Sequence, residues 1–408
     1  MRVTIEKGKA SGRVKAPPSK SMAHRFLICA ALAKGKSVIH GLSDCEDVLA
    51  TIDCLSALGV PVTLDGDCAT VEGIDITKAV PSEALNCRES GSTMRFLIPL
   101  CLMCEKNTML TGAASLLRRP MSIYESLAKE KGFTFSQDEH SVMVRGPLKS
   151  GDFRVAGNIS SQFISGLLFA LPLADGDSTI SIIPPLESRS YIELTLSALR
   201  EFGIKAGWRD DHTLFIKGNQ SYIPTETEVE GDYSGAAFFA ALGALGCDVV
   251  VDGLRENSIQ GDRVYSRYFE MLRKGTPTIH IGDCPDLGPV LFAVAAAKYG
   301  GVFTGTSRLR IKESDRAAAM ASELLKFGAS VTVQEDDVVV YPADFHAPSD
   351  ILCGHNDHRI VMSLAILLTL TGGSIDGAEA VAKSLPGFFD VLSSLGIAVS
   401  TSKGGDAS

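Results

Sequence analysis

Six times along the chain an apolar run with a polar leading end is followed by a turn and then a β-branched segment. The copies open at Ser19 ("SKSMAHRFLICAALAKGKSVIHGL"), Glu89 ("ESGSTMRFLIPLCLMCEKNTMLTG"), Ile159 ("ISSQFISGLLFALPLADGDSTISI"), Tyr233 ("YSGAAFFAALGALGCDVVVDGL"), Asp286 ("DLGPVLFAVAAAKYGGVFTGT") and His355 ("HNDHRIVMSLAILLTLTGGSIDG"). Each apolar stretch is hydrophobic all round, which predicts a helix with no solvent face. A second helix follows each copy, with a single apolar stripe and a glycine at its end: Gly59, Gly132, Gly203, Gly275, Gly328 and Gly396. Glycine just past a helix is the ordinary C-terminal stop. Segments between, such as "TVQEDDVVVYP", have the β-branched content of strands and hairpins.

Twelve helices in matched order, in copies mostly about 70 residues apart, predict one supersecondary unit used six times. Six units are too many for one core, and two cores of three units fit 408 residues. All-apolar first helices belong at the centre of a domain and amphipathic second helices outside them, so each domain is expected to hold helices within and sheets around them. The fourth unit is short. Only "TPTIHIGDCPD" separates Gly275 from the fifth, so a terminal hairpin is expected to be missing there.

Composition adds the class of molecule. With 45% hydrophobic and 21% charged residues the chain is globular. A net charge of −9 argues against a broad nucleic-acid footprint and leaves room for a local cationic site. The first twenty residues carry no signal-peptide-like apolar run, and "IVMSLAILLTLTGG" is too short and too interrupted to span a membrane. The ten cysteines have no framework spacing, and Cys101-x-x-Cys104 lies in an apolar run, as buried thiols do. These features predict a cytoplasmic protein with no membrane or nucleic-acid partner.

The chemistry sits at the leading ends of the helices. Lys20, Ser21 and Arg25 open the first copy, Gly91 and Arg95 the second, Ser160, Ser161 and Gln162 the third, and Asn356, Asp357, His358 and Arg359 the sixth. Second helices add Arg119 before Pro120, Ser188 with Tyr191, Lys312 with Arg316, and Lys383. Pro120 suits a first helical position, which puts Arg119 at the helix mouth. A helix N-terminus already has free N–H groups and a positive dipole end, so arginine and lysine there work against it unless an anion satisfies both. Singly, such an arginine is a surface residue and Ser160 or Ser188 a cap. Agreement among so many helix starts points to a shared, strongly anionic ligand. The acids of "SDCED" are a plain helix cap by comparison. His355 and His358 form one H-x-x-H with no third ligand, so no metal is expected.

The segments "PPSKSMAHR", "SGSTMR", "RRP", "ISSQF", "SRSYIEL", "IKESDR" and "NDHR" resemble, in order and over nearly the whole chain, the signatures of the 3-phosphoshikimate 1-carboxyvinyltransferase (EPSP synthase) family. The resemblance implies an α/β fold of two inside-out barrel domains, each of three βαβαββ units. An N-terminal domain of residues 15–229 would take shikimate 3-phosphate, and residues 1–14 with 230–408 would form a C-terminal domain carrying much of the phosphoenolpyruvate (PEP) side. The implied reaction condenses PEP with shikimate 3-phosphate, giving 5-enolpyruvylshikimate 3-phosphate and phosphate. It needs no cofactor. A monomer with these small-molecule substrates as partners is expected, and, with Gly91 retained, room for the inhibitor glyphosate.

Carried over by motif, the resemblance implies that Lys20, Ser21, Arg25, Ser160, Ser161, Gln162, Ser188, Tyr191, Asp286 and Lys312 hold shikimate 3-phosphate. Lys20, Gly91, Arg119, Gln162, Arg316, His358, Arg359 and Lys383 would hold PEP, with Arg95 in support. Asp286, Glu313 and Lys20 would be catalytic: Asp286 accepts the hydroxyl proton, and Glu313 or Lys20 protonates the enol carbon. Cations from both domains offset the repulsion of two anions, so ligands are expected to draw the domains shut. Two departures stand out: the family's usual Asn-Ala-Gly-Thr-Ala-Met-Arg-Pro is Glu89–Phe96 here, and Arg308 replaces a common Asn. The sister UDP-N-acetylglucosamine enolpyruvyl transferases carry Lys-Asn at Lys20-Ser21 and a loop cysteine before Arg119. No cysteine lies between Cys104 and Cys247. A non-catalytic anion-binding relative would lack the acid and base, and both are present.

Overall fold

The structure, a computed structural model, describes residues 1–402. The chain forms two compact units, Pro18–Glu230 and Met1–Pro17 together with the chain from Gly231 onward. Each has its own apolar core.

The twelve helices expected from the repeats all form. In Pro18–Glu230 they are α1 (Lys20–Leu32), α2 (Glu46–Ala57), α3 (Gly91–Cys101), α4 (Ser122–Lys131), α5 (Ser161–Ala170) and α6 (Arg189–Glu201). The other unit holds α7 (Tyr233–Leu245), α8 (Tyr265–Lys274), α9 (Gly288–Ala296), α10 (Arg316–Lys326), α11 (His358–Thr371) and α12 (Phe388–Ser394). First helices are interior, as their sequences require: every residue of α9 is buried, and α11 is buried from His358 through Thr369. A helix satisfies its own backbone, so an all-apolar one can be enclosed without leaving polar groups dry. Second helices bury one stripe. In α8 only Tyr265, Phe269 and Leu272 are buried, at i, i+4 and i+7.

Pro18–Glu230 carries three four-stranded sheets of one pattern. Leu85–Asn86 runs parallel to Thr108–Thr111, which pairs antiparallel with Val142–Arg145, and that strand pairs antiparallel with Thr134–Gln137. Asp152–Ala156, Ser178–Ile183, Thr213–Ile216 and Ala206–Asp210 repeat the order. In the third sheet the leading strand, Glu226–Glu228, comes from the far end of the unit and pairs with Gly35–His40. The hairpins return onto the ends of the inner helical segments at glycines. A Cβ on Gly73 would lie 2.0 Å from the Ala33 oxygen, on Gly146 2.0 Å from the Leu102 oxygen, and on Gly218 2.1 Å from the Gly176 oxygen. No side chain fits at any of the three, which is the repeat written in backbone contacts.

The other unit departs from this pattern where the fourth copy is short. Its strand Asp248–Asp252 has one neighbour, Ser11–Lys15, in a parallel pair. Arg2–Ile5 inserts antiparallel between Gly373–Asp376 and Val399–Ser402. The N-terminal segment thus supplies strands to this unit. Five of the six terminal glycines are left-handed, and Gly275 is the exception at φ 167°, extended, because the chain runs straight on to the strand Thr278–His280. Among the described residues no helix is long and apolar enough to cross a membrane, and all ten cysteines are free.

Candidate active site

In Pro18–Glu230, the leading ends of α1, α3, α5 and α6 hold the polar residues singled out above. Lys20 is the first residue of α1, capped by Ser19, and its Nζ lies 2.7 Å from Asp47 Oδ2. Asp47 sits in the first turn of α2, where its charge also suits the dipole. The acidic cap that looks plain in sequence is therefore the partner of a candidate catalytic lysine. Hydroxyl bonds tie the same corner to α3: Thr51 and Thr93 are 2.7 Å apart, and Thr93 donates to the Ser90 hydroxyl at 2.7 Å.

Gly91 opens α3 amid arginines. A Cβ there would stand 2.9 Å from Arg119 Nη1 and 3.3 Å from Arg95 Nη1. Arg95 donates to Gln162 Oε1 at 2.7 Å, and Gln162 donates to the Ser92 hydroxyl at 2.9 Å. Gly91, Arg95, Arg119 and Gln162 thus converge, with Arg95 and Arg119 each 7% exposed. Glu89, the departure from the usual asparagine, accepts from Ser115 at 3.3 Å. Arg25 lies deeper. Its donors go to the Ser21 carbonyl (2.7 Å), the Tyr191 carbonyl (2.8 Å) and the Thr195 hydroxyl (2.9 Å), and burial lowers its pKa to about 10. Ser160 caps α5, and Ser188 stands at the cap position of α6 in a left-handed conformation with no side-chain cap bond.

The second cluster lies in the unit containing Gly231 onward, around Arg316, the first residue of α10 and 1% exposed. Its guanidinium reaches three carboxylates: Asp357 Oδ2 at 2.8 Å, Asp286 Oδ1 at 2.8 Å and Glu313 Oε2 at 2.6 Å. Asp286 also meets Lys312 Nζ at 3.2 Å and Arg359 Nη2 at 3.1 Å. Burial alone would raise the Asp286 pKa, but Arg359, Lys312 and Arg316 hold it well below the usual carboxylate range. Burial brings Lys312 down to about 8, with Arg308 and Arg316 pushing the same way. Asp262, buried behind this cluster, is raised to about 7 by burial and then by Asp286. Arg359 also donates to the Ser234 hydroxyl at 2.7 Å, and Lys383 Nζ to the Asn356 carbonyl at 2.5 Å.

Two placements differ from the sequence expectation. Pro120 is not the first helical residue: Met121 caps α4 and the helix starts at Ser122, so Arg119 reaches Gly91 from the preceding loop. Lys383 ends a 3₁₀ turn, Ala378–Lys383, rather than starting a helix, an end that favours a cation. Local spacing could not reveal that Pro386 delays α12 to Phe388. His355 and His358 go separate ways: His355 bonds Glu323 at 2.8 Å, while His358 lies 4.0 Å from Asp357. Sequence reasoning missed Asp47, Ser234, Asp262 and the central role of Asp357. No local pattern marks the acids among them, because caps and first turns carry carboxylates for their own reasons.

Residues 5–392 match the family model described as EPSP synthase (3-phosphoshikimate 1-carboxyvinyltransferase). A relative from Clostridium perfringens named 3-phosphoshikimate 1-carboxyvinyltransferase is 40% identical, over 97% of this chain and 98% of its own. One of the same name from Clostridium kluyveri is 38% identical, over 97% of both. A solved EPSP synthase from Acinetobacter baumannii superposes with a TM-score of 0.78 at 26% identity, covering 98% of this chain and all of that one.

Proposed function

The chain belongs to the EPSP synthase family, and on that premise we propose that both clusters serve one reaction, transfer of the enolpyruvyl group of PEP to the 5-hydroxyl of shikimate 3-phosphate. The observation that carries this reading is Arg316 bonding Asp286 and Glu313 at once, a candidate base and a candidate acid joined through one cation. Lys20, Ser21, Arg25, Ser160, Ser161, Gln162, Ser188, Tyr191, Asp286 and Lys312 are the proposed contacts of shikimate 3-phosphate. Lys20, Gly91, Arg119, Gln162, Arg316, His358, Arg359 and Lys383 are those of PEP, and Arg forks suit its carboxylate and phosphate.

Paired with three cations, Asp286 is a poor base. The carboxylate and phosphate of PEP compete for those cations. As Arg316 and Arg359 turn to the substrate, Asp286 loses stabilisation of its charge and its pKa rises, so it can accept the hydroxyl proton. The hydroxyl oxygen bonds to C2 of PEP, and the C2–C3 electron pair takes a proton from Glu313, which can carry one once Arg316 has turned to PEP, or from Lys20, to make a methyl group. In the second half that proton leaves C3, the double bond re-forms, and the C2–O bond to phosphate breaks. The proton held at Asp286 leaves with the phosphate. Cations fixed in a partly dry site favour this sequence by holding two mutually repelling anions in line. The ten unpaired cysteines support a reducing compartment, the cytoplasm, as its place of work.

The direct test is phosphate release. Phosphate is expected only with PEP and shikimate 3-phosphate together. Release from PEP alone, or with UDP-N-acetylglucosamine as acceptor, would overturn the reading. A second expectation concerns Gly91. An alanine methyl meets the guanidinium end of the Arg119 side chain at 2.9 Å, so the fold absorbs Gly91→Ala by displacing that side chain. The KM for PEP should rise about tenfold, the loss of about one good ionic hydrogen bond, while the KM for shikimate 3-phosphate stays within about twofold.

A further inference from the structure

The loop that delivers Asp357, His358 and Arg359 is held at its other side by residues no part of the reaction accounts for. Glu323 lies on α10, seven residues after Arg316 and therefore on the same face two turns along. It is 1% exposed. Its Oε1 faces His355 Nε2 at 2.8 Å, and its Oε2 accepts from the Cys353 N–H at 3.0 Å and from Lys326 Nζ at 2.9 Å. Burial would raise the pKa of this carboxyl, yet the bonds from His355, Lys326 and Cys353 leave it lowered, so it is ionised.

What these bonds hold is unusual backbone. His355 (φ 49°) and Asn356 (φ 52°) are consecutive left-handed residues, neither of them glycine. Such a pair persists only where the surroundings over-determine it. Its consequence is direct: the turn presents the Asn356 carbonyl to Lys383 Nζ at 2.5 Å, and the next residue, Asp357, bonds Arg316 and caps α11 at the Arg359 N–H. One helix therefore grips the loop twice, through Arg316 on Asp357 and through Glu323 on His355.

We propose that Glu323 and His355 are positioning residues that lock this left-handed turn and thereby set Lys383 and Arg359 for PEP. The proposal rests on the assignment of Lys383 and Arg359 to PEP. Neither Glu323 nor His355 touches substrate. Their effect passes through the Asn356 carbonyl and the start of α11, so it falls on PEP and not on shikimate 3-phosphate.

The test uses the full-length protein with His355→Ala and His355→Gln. For His355→Ala the KM for PEP is expected to rise at least fivefold while that for shikimate 3-phosphate stays within twofold. His355→Gln returns a donor of similar reach to Glu323 and should recover at least half of that change on a logarithmic scale. Amide hydrogen exchange supplies a readout independent of turnover: residues 353–357 should exchange at least tenfold faster in His355→Ala, with the rest of the chain unchanged. A PEP KM unmoved by His355→Ala, a rise shared equally by both substrates, no recovery by His355→Gln, or unchanged exchange at 353–357 each overturns the proposal. Absence of wild-type turnover with these substrates would instead overturn the functional reading, and the exchange result would still decide whether His355 locks the turn.

Discussion

Glu313→Gln is expected to lower kcat about 10²–10⁴-fold, the range that removal of a positioned proton donor costs, with both KM values within about threefold of wild type. Glutamine keeps the size of the side chain and an oxygen for Arg316, which holds Glu313 Oε2 at 2.6 Å, so the guanidinium keeps its place. What is lost is the proton. The reaction requires one at C3 of PEP in the first half and its removal in the second, so a neutral amide fails at both. Steady-state phosphate release at saturating substrates measures it. A kcat within tenfold of wild type would transfer the C3 proton to Lys20, whose ammonium is held 2.7 Å from Asp47.

Arg316→Ala should produce a large loss of stability. The side chain is 1% exposed and its three acidic partners are 0%, 18% and 19% exposed. Removing one member of a buried ionic cluster leaves charge without compensation, and the cost is about 3–5 kcal/mol. The sign of its pH dependence follows from the partners. In the wild type, burial opposes the ionised Asp357 but Arg316 keeps its pKa below the ordinary value. Without the arginine, burial dominates and raises it. A carboxyl whose folded pKa exceeds its unfolded value is relatively more stable once protonated, so the deficit of Arg316→Ala should be greatest at pH 7 and shrink toward pH 5. Urea midpoints of the two proteins at both pH values measure it, and a deficit equal at pH 5 and pH 7 would mean the carboxylates are not what the arginine holds. Arg316→Lys should keep part of the stability and little of the activity, since one ammonium cannot replace a fork that reaches three acids.

These expectations lean on different depths of information. Glu313 and Arg316 were visible in "IKESDR", and Gly91 with Arg95 in "SGSTMR". The convergence of Gly91 and Arg95 with Arg119 and Gln162 required the fold, because Arg119 comes from a loop that its following proline makes look like a helix start. Lys383 was misplaced in the same way: one basic residue between two turns carries no periodicity to fix its element. The acids were the larger omission. Asp47 and Asp357 have ordinary places in first turns and caps, where a carboxylate needs no special explanation. Only packing shows that Asp47 also neutralises the half-buried Lys20 and Asp357 the buried Arg316. Glu323 lay hidden in an amphipathic helix, where an acid is expected to face water and here does not.

By itself the sequence determined the twelve helices, their division into enclosed and half-buried, and the six-fold order in which they occur. Those properties follow from local periodicity, the all-round apolarity of segments such as Gly288–Ala296 and the glycine stops, which act within a few residues. Tertiary structure alone decided where Arg2–Ile5 and Ser11–Lys15 pair, which acid meets which buried cation, and that His355 and Asn356 hold a left-handed turn. Such outcomes depend on groups brought together from far along the chain, whose interaction exists only once water has been excluded between them.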